Sequence, residues 1–207
     1  MIKDPYLYPG TNVHINVAGI QDKARLKEYT AKQFALAMIK LQKEDFEVKS
    51  TKDLLTLHKT LFKHVFEWAG KIRIMNVTKS EFILGENTVE YADYTLILKE
   101  LDQVDHKYMH LDWQSFSKEE FVDNLSNMIV SLWVIRPFRE GNTRTIMVFM
   151  DFFIKKYGYC LNLEAFKTQE PEIRNALVWA TIGEFFHINS ILNLLISHKC
   201  VTNHKKV

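Results

Sequence analysis

The residues of this chain best suited to chemistry stand together between Ile135 and Phe149, in the run I-R-P-F-R-E-G-N-T-R-T-I-M-V-F. Glu140 is a carboxylate in a turn. Beside bound phosphates such a group holds magnesium, an ion that takes one or two carboxylates together with phosphate oxygens. Gly141 and Asn142 enter turn and left-handed backbone readily, and can aim main-chain N–H groups and one side-chain amide at a phosphate. Arg144 offers a planar cation that clamps phosphate oxygens. Singly, each has a structural explanation: Glu140 as a helix-dipole partner, Gly141 as a turn former, Arg144 as a solvated charge. Their concentration in one short run points to a phosphate site.

Such a site needs a turn between two helices. Pro137 disfavours a helical Arg136, so the incoming helix should stop there. The outgoing helix should start at Asn142 or Thr143, both capable caps, with its free N–H groups and positive dipole end toward whatever the loop surrounds. The incoming helix, about 117–134, carries Phe121, Leu125, Met128, Ile129, Leu132 and Trp133, and Ser117 with Glu120 forms a capping box. The outgoing helix, 143–157, is apolar on most sides and should be the central, buried one. Gly158 suits its end.

Around this pair, helical spacing predicts an amphipathic helix over 22–43 capped by Asp22. A second runs from Ser50 to about Gly70, with His58 as a core or boundary histidine. Another covers 92–107, and two or three more lie between Leu163 and Lys199. Residues 71–91 break the pattern. The run K-I-R-I-M-N-V-T-K alternates, and S-E-F-I-L-G-E-N-T-V-E-Y follows with Gly85-Glu86-Asn87 as a turn. This predicts a β-hairpin at about 72–90, or else a long surface loop. Its edge could receive an extended peptide.

The 207 residues suit one domain, 1–207, with a core at about 20–199, an irregular lead-in and a polar tail. Seven glycines and four prolines favour long helices over a many-turned sandwich. A net charge of +2 gives no case for a nucleic-acid partner. No stretch is apolar enough to be a signal core or to span a membrane. Two cysteines are too few for a disulfide framework or a zinc site, so a reducing, cytoplasmic setting is the default.

The run P-F-R-E-G-N-T-R-T resembles the signature of Fic proteins, H-P-F-x-[D/E]-G-N-x-R, often with a second arginine three residues on. Tyr8-Pro9-Gly10-Thr11 with Gly19-Ile20 resembles the start of many such domains, and Phe66-Glu67-Trp68-Ala69-Gly70-Lys71-Ile72-Arg73 the segment that leads into their hairpin flap. The resemblance implies a mainly α fold, a helical bundle around the central helix 143–157 with the β-hairpin flap. It also implies transfer of AMP from ATP to a Ser, Thr or Tyr hydroxyl of a target protein, although relatives transfer other phosphate-containing groups. Carried over by position, Glu140 would hold Mg²⁺. Gly141, Asn142 and Thr143 would cradle phosphates and Arg144 would bind them. Ile74, Asn76, Val77, Thr78 and Lys79 of the flap would align the target.

Three positions depart from the pattern. Arg136 stands where the family has the histidine that accepts the hydroxyl proton, and an arginine, always protonated, cannot accept it. The resemblance therefore implies an impaired transferase, or a pseudoenzyme that binds nucleotide or a partner. Thr143 stands where glycine is common, and Met147 replaces the second arginine. No full copy of the family's inhibitory [S/T]-x-x-x-E-[G/N] motif occurs: Ser115 to Glu119 and Thr168 to Glu172 match only its first part. Self-inhibition is not expected, and control by a separate antitoxin-like chain stays open.

Overall fold

In the computed structural model, which describes residues 4–44, 46–79, 81–85 and 88–197, the helices start and stop where capping chemistry dictates. α1 (Lys23–Leu41) begins at Asp22, whose carboxylate accepts the Arg25 N–H at 2.8 Å. α2 (Asp53–Phe62) follows a turn in which the Asp53 carboxylate accepts from the N–H groups of Lys49 and Ser50. It ends well before Gly70, because residues 63–70 fold into successive turns. α3 (Ile97–Val104) runs on into a π-turn ending at Met109. Its start is delayed past 92 because the Ala92 N–H is taken by the Val134 carbonyl and Asp93 closes a turn onto Thr95.

α4 (Lys118–Ile135) has the predicted capping box, with Ser117 and Glu120 bonded reciprocally at 2.9 and 3.2 Å. α5 (Asn142–Lys155) is buried from Ile146 through Met150 and again at Phe153 and Ile154, and packs against both α2 and α4. It is the central helix. α6 (Leu163–Thr168), α7 (Glu170–Thr181) and α8 (Phe186–Leu195) close the bundle.

One element has no counterpart in the hydropathy pattern. β1 (Cys160–Leu161) and β2 (Ile196–Ser197) form a two-residue antiparallel ladder, with the Leu161 N–H also bonded to buried Asp151 of α5. Cys160 opens β1; Cys200 lies outside the described residues. Among the described residues no helix is long and apolar enough to cross a membrane.

Of the hairpin expected at 72–90, the described residues contain a single β-bridge residue, Thr88, and a 3-10 turn at Phe82–Leu84, with no strand of two or more residues; Ser80, Glu86 and Asn87 lie outside them. The reason is a competing set of bonds. The Arg73 N–H goes to the Pro137 carbonyl at 2.9 Å and the Ile74 N–H to the Tyr6 hydroxyl at 3.0 Å. The Met75 carbonyl accepts from the Arg73 guanidinium.

Arg73 is 1% exposed. Its guanidinium also donates to the carbonyls of Arg136 (2.8 Å), Ala92 and Ile135. A buried donor set satisfied this way cannot be removed cheaply, since each orphaned carbonyl costs about 1–3 kcal/mol. Arg73→Met should lower the unfolding free energy by about 3 kcal/mol or more, measured by urea denaturation. A loss under about 1 kcal/mol would show that the guanidinium is not structural.

Candidate active site

α4 ends at Arg136, whose backbone is left-handed at φ 47°, ψ 61°. Its guanidinium is half-buried and lies over the Tyr91 ring, 4.7 Å from the centroid. Burial pushes the arginine pKa down while Tyr91 and Glu140 oppose. The group stays a cation at neutral pH.

The loop that follows is closed from within. The Asn142 side chain accepts the Phe138 N–H at 2.9 Å and donates to the Phe138 carbonyl at 2.8 Å. Its oxygen and one of its two amide hydrogens are therefore occupied, and main-chain N–H groups are the main donors the loop can offer an anion. Asn142 and Thr143 were expected to cap α5; the cap is Gly141, with no side-chain bond. Asn142 is engaged with Phe138, and the Thr143 hydroxyl accepts from the Trp133 indole at 3.1 Å. Gly141 has φ 81°, and a Cβ there would sit 2.8 Å from the Phe62 ring. Only glycine fits.

His58 supports the loop from beneath. The Gly70 N–H donates to Nδ1 at 2.8 Å, which leaves the proton on Nε2 to donate to the Glu140 carbonyl at 3.0 Å. The ring stacks on Phe138 at 3.8 Å. Burial holds the His58 pKa down at about 4, against the opposing bond to Glu140. It is a neutral core histidine, as its helical position predicts.

The Glu140 carboxylate lies 3.4 Å from Arg144, which also covers the Phe62 ring. Burial alone would raise the Glu140 pKa, but Arg144, His14, Arg136 and the Gly141 N–H outweigh it and hold the group below the usual carboxylate range. Next to it, Arg139 donates from both Nε and Nη2 to one oxygen of Asp4, at 3.1 and 2.7 Å.

A cavity of about 180 Å³ opens over the α5 N-terminus, lined by Glu140, Arg144 and Arg136 and also by Lys79, Glu170 and Arg174. A larger one, about 690 Å³ and mostly apolar, shares Glu140, Arg144 and Glu170 with it and is walled by α1, α5 and α6, with Met147 among its lining.

Of the flap residues, Ile74 and Asn76 are both exposed, and the Asn76 side chain is bonded to Asp93 and the Tyr94 N–H. Val77, Thr78 and Lys79 make no main-chain hydrogen bond to a described residue. Missed by sequence reasoning were Arg73, Asp4, Tyr6 and Arg174. Of these, Arg73 lay in the segment quoted as leading into the flap, with no role given to it.

Comparison with known proteins decides the family. A model of the Fic/DOC family matches residues 49–154, more than half of the chain. The chain belongs to the Fic/DOC family. The probable protein adenylyltransferase y4lH of Sinorhizobium fredii is 31% identical over 189 residues, covering 88% of this chain and 91% of that protein. Protein adenylyltransferase VbhT of Bartonella schoenbuchensis is 28% identical over 197 residues; the match covers 93% of this chain but 38% of VbhT. The crystal structure of BepC from Bartonella tribocorum, with bound AMPPNP, superposes with a TM-score of 0.78 at 22% identity over 93% of this chain and 96% of that one, which establishes the shared Fic fold.

His58 generates a pH dependence. With a folded pKa near 4 against an unfolded value of 6.5, the unfolded chain binds the proton first as pH falls. The stability that neutral His58 contributes is complete above about pH 6.5 and is lost down to pH 4, about 3 kcal/mol in all. The His58 ring resonances in NMR should stay those of the neutral Nε2–H form to about pH 5. Titration near 6.5 would contradict the buried assignment.

Proposed function

We propose that this Fic chain has the binding apparatus of a protein adenylyltransferase, using ATP and a target protein with a Ser, Thr or Tyr hydroxyl, and that Arg136 impairs its AMP transfer. The relatives named as adenylyltransferases support the reaction class. The observation that carries the impairment is Arg136 itself, a cation on the cavity wall at the motif position of the base. A positioned base contributes about 10²–10⁴ in rate, or about 3–5 kcal/mol of barrier. Transfer should be slower by that order.

In this reading Glu140 holds Mg²⁺, which supplies charge neutralisation for the phosphates when bound. The donor set suits that ion. Glu140 is an ionised, partly exposed carboxylate, and the described residues contain no cluster of three metal-ligating side chains, so phosphate and water would complete the shell, as magnesium prefers. The main-chain N–H groups at Gly141, Asn142 and Thr143 receive phosphate oxygens, and Arg144 clamps them. Val77 to Lys79, with their main chain unengaged, offer the edge for a target segment, while Ile74 gives it an apolar contact. Asn76 holds the flap in place.

A separate inhibitor chain would reach Glu140 and Arg144 through the larger apolar cavity. We place the activity in the cytoplasm, with neither nucleic acid nor membrane as partner. A second reading, a pseudoenzyme that binds nucleotide or a partner without transfer, is favoured by the placement of Arg136, whose charge rests on Tyr91 with no carboxylate bonded to it among the described residues.

The backbone at 136 makes the test clean. Left-handed φ is uncommon for arginine and several-fold more accessible to histidine, so Arg136→His should fold at least as well. Incubated with labelled ATP, magnesium and lysate, that variant should label protein about 10²–10⁴ faster than the parent. Equal labelling by both would refute the impairment. A variant that binds Mg-ATP yet still transfers nothing would establish the pseudoenzyme reading.

A further inference from the structure

Among α1–α8, only α8 contains no Asp, Glu, Lys or Arg, in a chain that is 25% charged. Even the buried central helix carries Arg144, Asp151 and Lys155, whereas uncharged α8 turns one side to solvent. Its inner side, Ile188, Leu192 and Leu195, is buried, and Asn189 donates to Asp123 of α4 at 2.6 Å. The outer side carries Phe186, 74% exposed, and Leu194, 80% exposed, the two most exposed large apolar side chains among the described residues. The solvent side of a helix is ordinarily polar or charged. The Phe186 ring is also held in place: it meets His187 edge-on at 5.6 Å, and His187 leans on Trp179 at 6.4 Å.

We infer that this outer side of α8 pairs with α8 of a second copy of the chain, antiparallel, about a twofold axis at Ser190. Three observations select a second copy as the occupant. Phe186 and Leu194 stand four residues either side of Ser190, so an antiparallel pair centred there sets each phenylalanine against the other copy's leucine. The row i, i+4, i+8 is a packing ridge about 12 Å long, and a twofold interface needs this reciprocity. Ser190 itself suits the axis. It is small, and its hydroxyl already donates to the Phe186 carbonyl at 2.8 Å, so a close approach there leaves no hydroxyl hydrogen unpaired. The third observation is charge. A charged side chain beside a twofold axis meets its own kind, and this ridge has none; an unrelated partner would be free to use charge for selectivity. The four apolar side chains bury on the order of 600 Å², below the ~1,200 Å² of stable complexes, so the dimer should be reversible, with a Kd on the order of 100 μM. No α8 residue lines either cavity at the loop, so the pairing uses no residue of the candidate active site.

Sedimentation equilibrium of the full chain, from about 10 μM to about 1 mM, tests it. The parent should pass reversibly from monomer to dimer across that range. Phe186→Lys and Leu194→Glu should each weaken self-association by about tenfold or more, because each sets two lone charges against apolar side chains. Both positions are exposed, so thermal unfolding of each variant should match the parent. An equimolar mixture of the two variants then discriminates the register. In the mixed dimer Lys at 186 faces Glu at 194 while the other Phe186–Leu194 contact is native, so association should return to within about tenfold of the parent. A parent that stays monomeric to about 1 mM overturns the inference and leaves the face to a different protein or to another segment of this chain. Dimerisation that neither variant weakens, or that the mixture fails to restore, overturns the antiparallel α8 pairing. The parent measurement needs no variant, so a substitution that unfolds the chain does not remove the test.

Discussion

One buried guanidinium gathers the parts of this molecule that surround the loop. Arg73 has no carboxylate partner bonded to it among the described residues; carbonyl oxygens from the end of α4, from the lead-in to α3 and from its own segment at Met75 take the place of water around it. Two of those carbonyls, Ile135 and Arg136, belong to the C-terminal end of α4, where the helix dipole is negative and cations are favoured. Burial still pushes the Arg73 pKa down, with Arg136 adding to the effect and Asp93 opposing it. The flap, the loop entry and the α3 approach are thereby tied to one planar group.

This arrangement separates scaffold from chemistry at residue 136. The Arg136 main chain belongs to the scaffold: its left-handed turn redirects the chain, and its carbonyl receives Arg73. The side chain faces the cavity and holds none of that together. The loop geometry therefore depends on the main chain at 136 more than on the side chain it carries. His58 has the complementary role. It is a histidine beside the site whose ring is committed on both nitrogens, so it holds the Glu140 main chain and is unsuited to moving a proton.

Much of this was legible in the sequence. Asp22 and the Ser117–Glu120 box located two helix starts because caps are local chemistry. Pro137 and the apolar run after it located the loop and the central helix. What failed were readings that needed partners distant in sequence. The alternation K-I-R-I implied that Ile72 and Ile74 face the core, yet Ile74 is 65% exposed and Arg73 is buried. Period-2 patterning carries no knowledge that a cation will find carbonyls 62 and 63 residues away. Likewise Asn142 reads as a cap by type, but the loop it closes takes its side chain first.

The bond from Arg139 to Asp4 spans 135 positions of sequence, and Tyr6, two residues on, accepts the Ile74 N–H of the flap. Chain ends ordinarily fray at little free-energy cost. Here the same fraying would release a half-buried arginine in the middle of the loop and free a main-chain donor of the flap together. Thermodynamically the lead-in and the loop form one cooperative unit of local opening, so the order of the site is set in part by a segment that no signature motif includes.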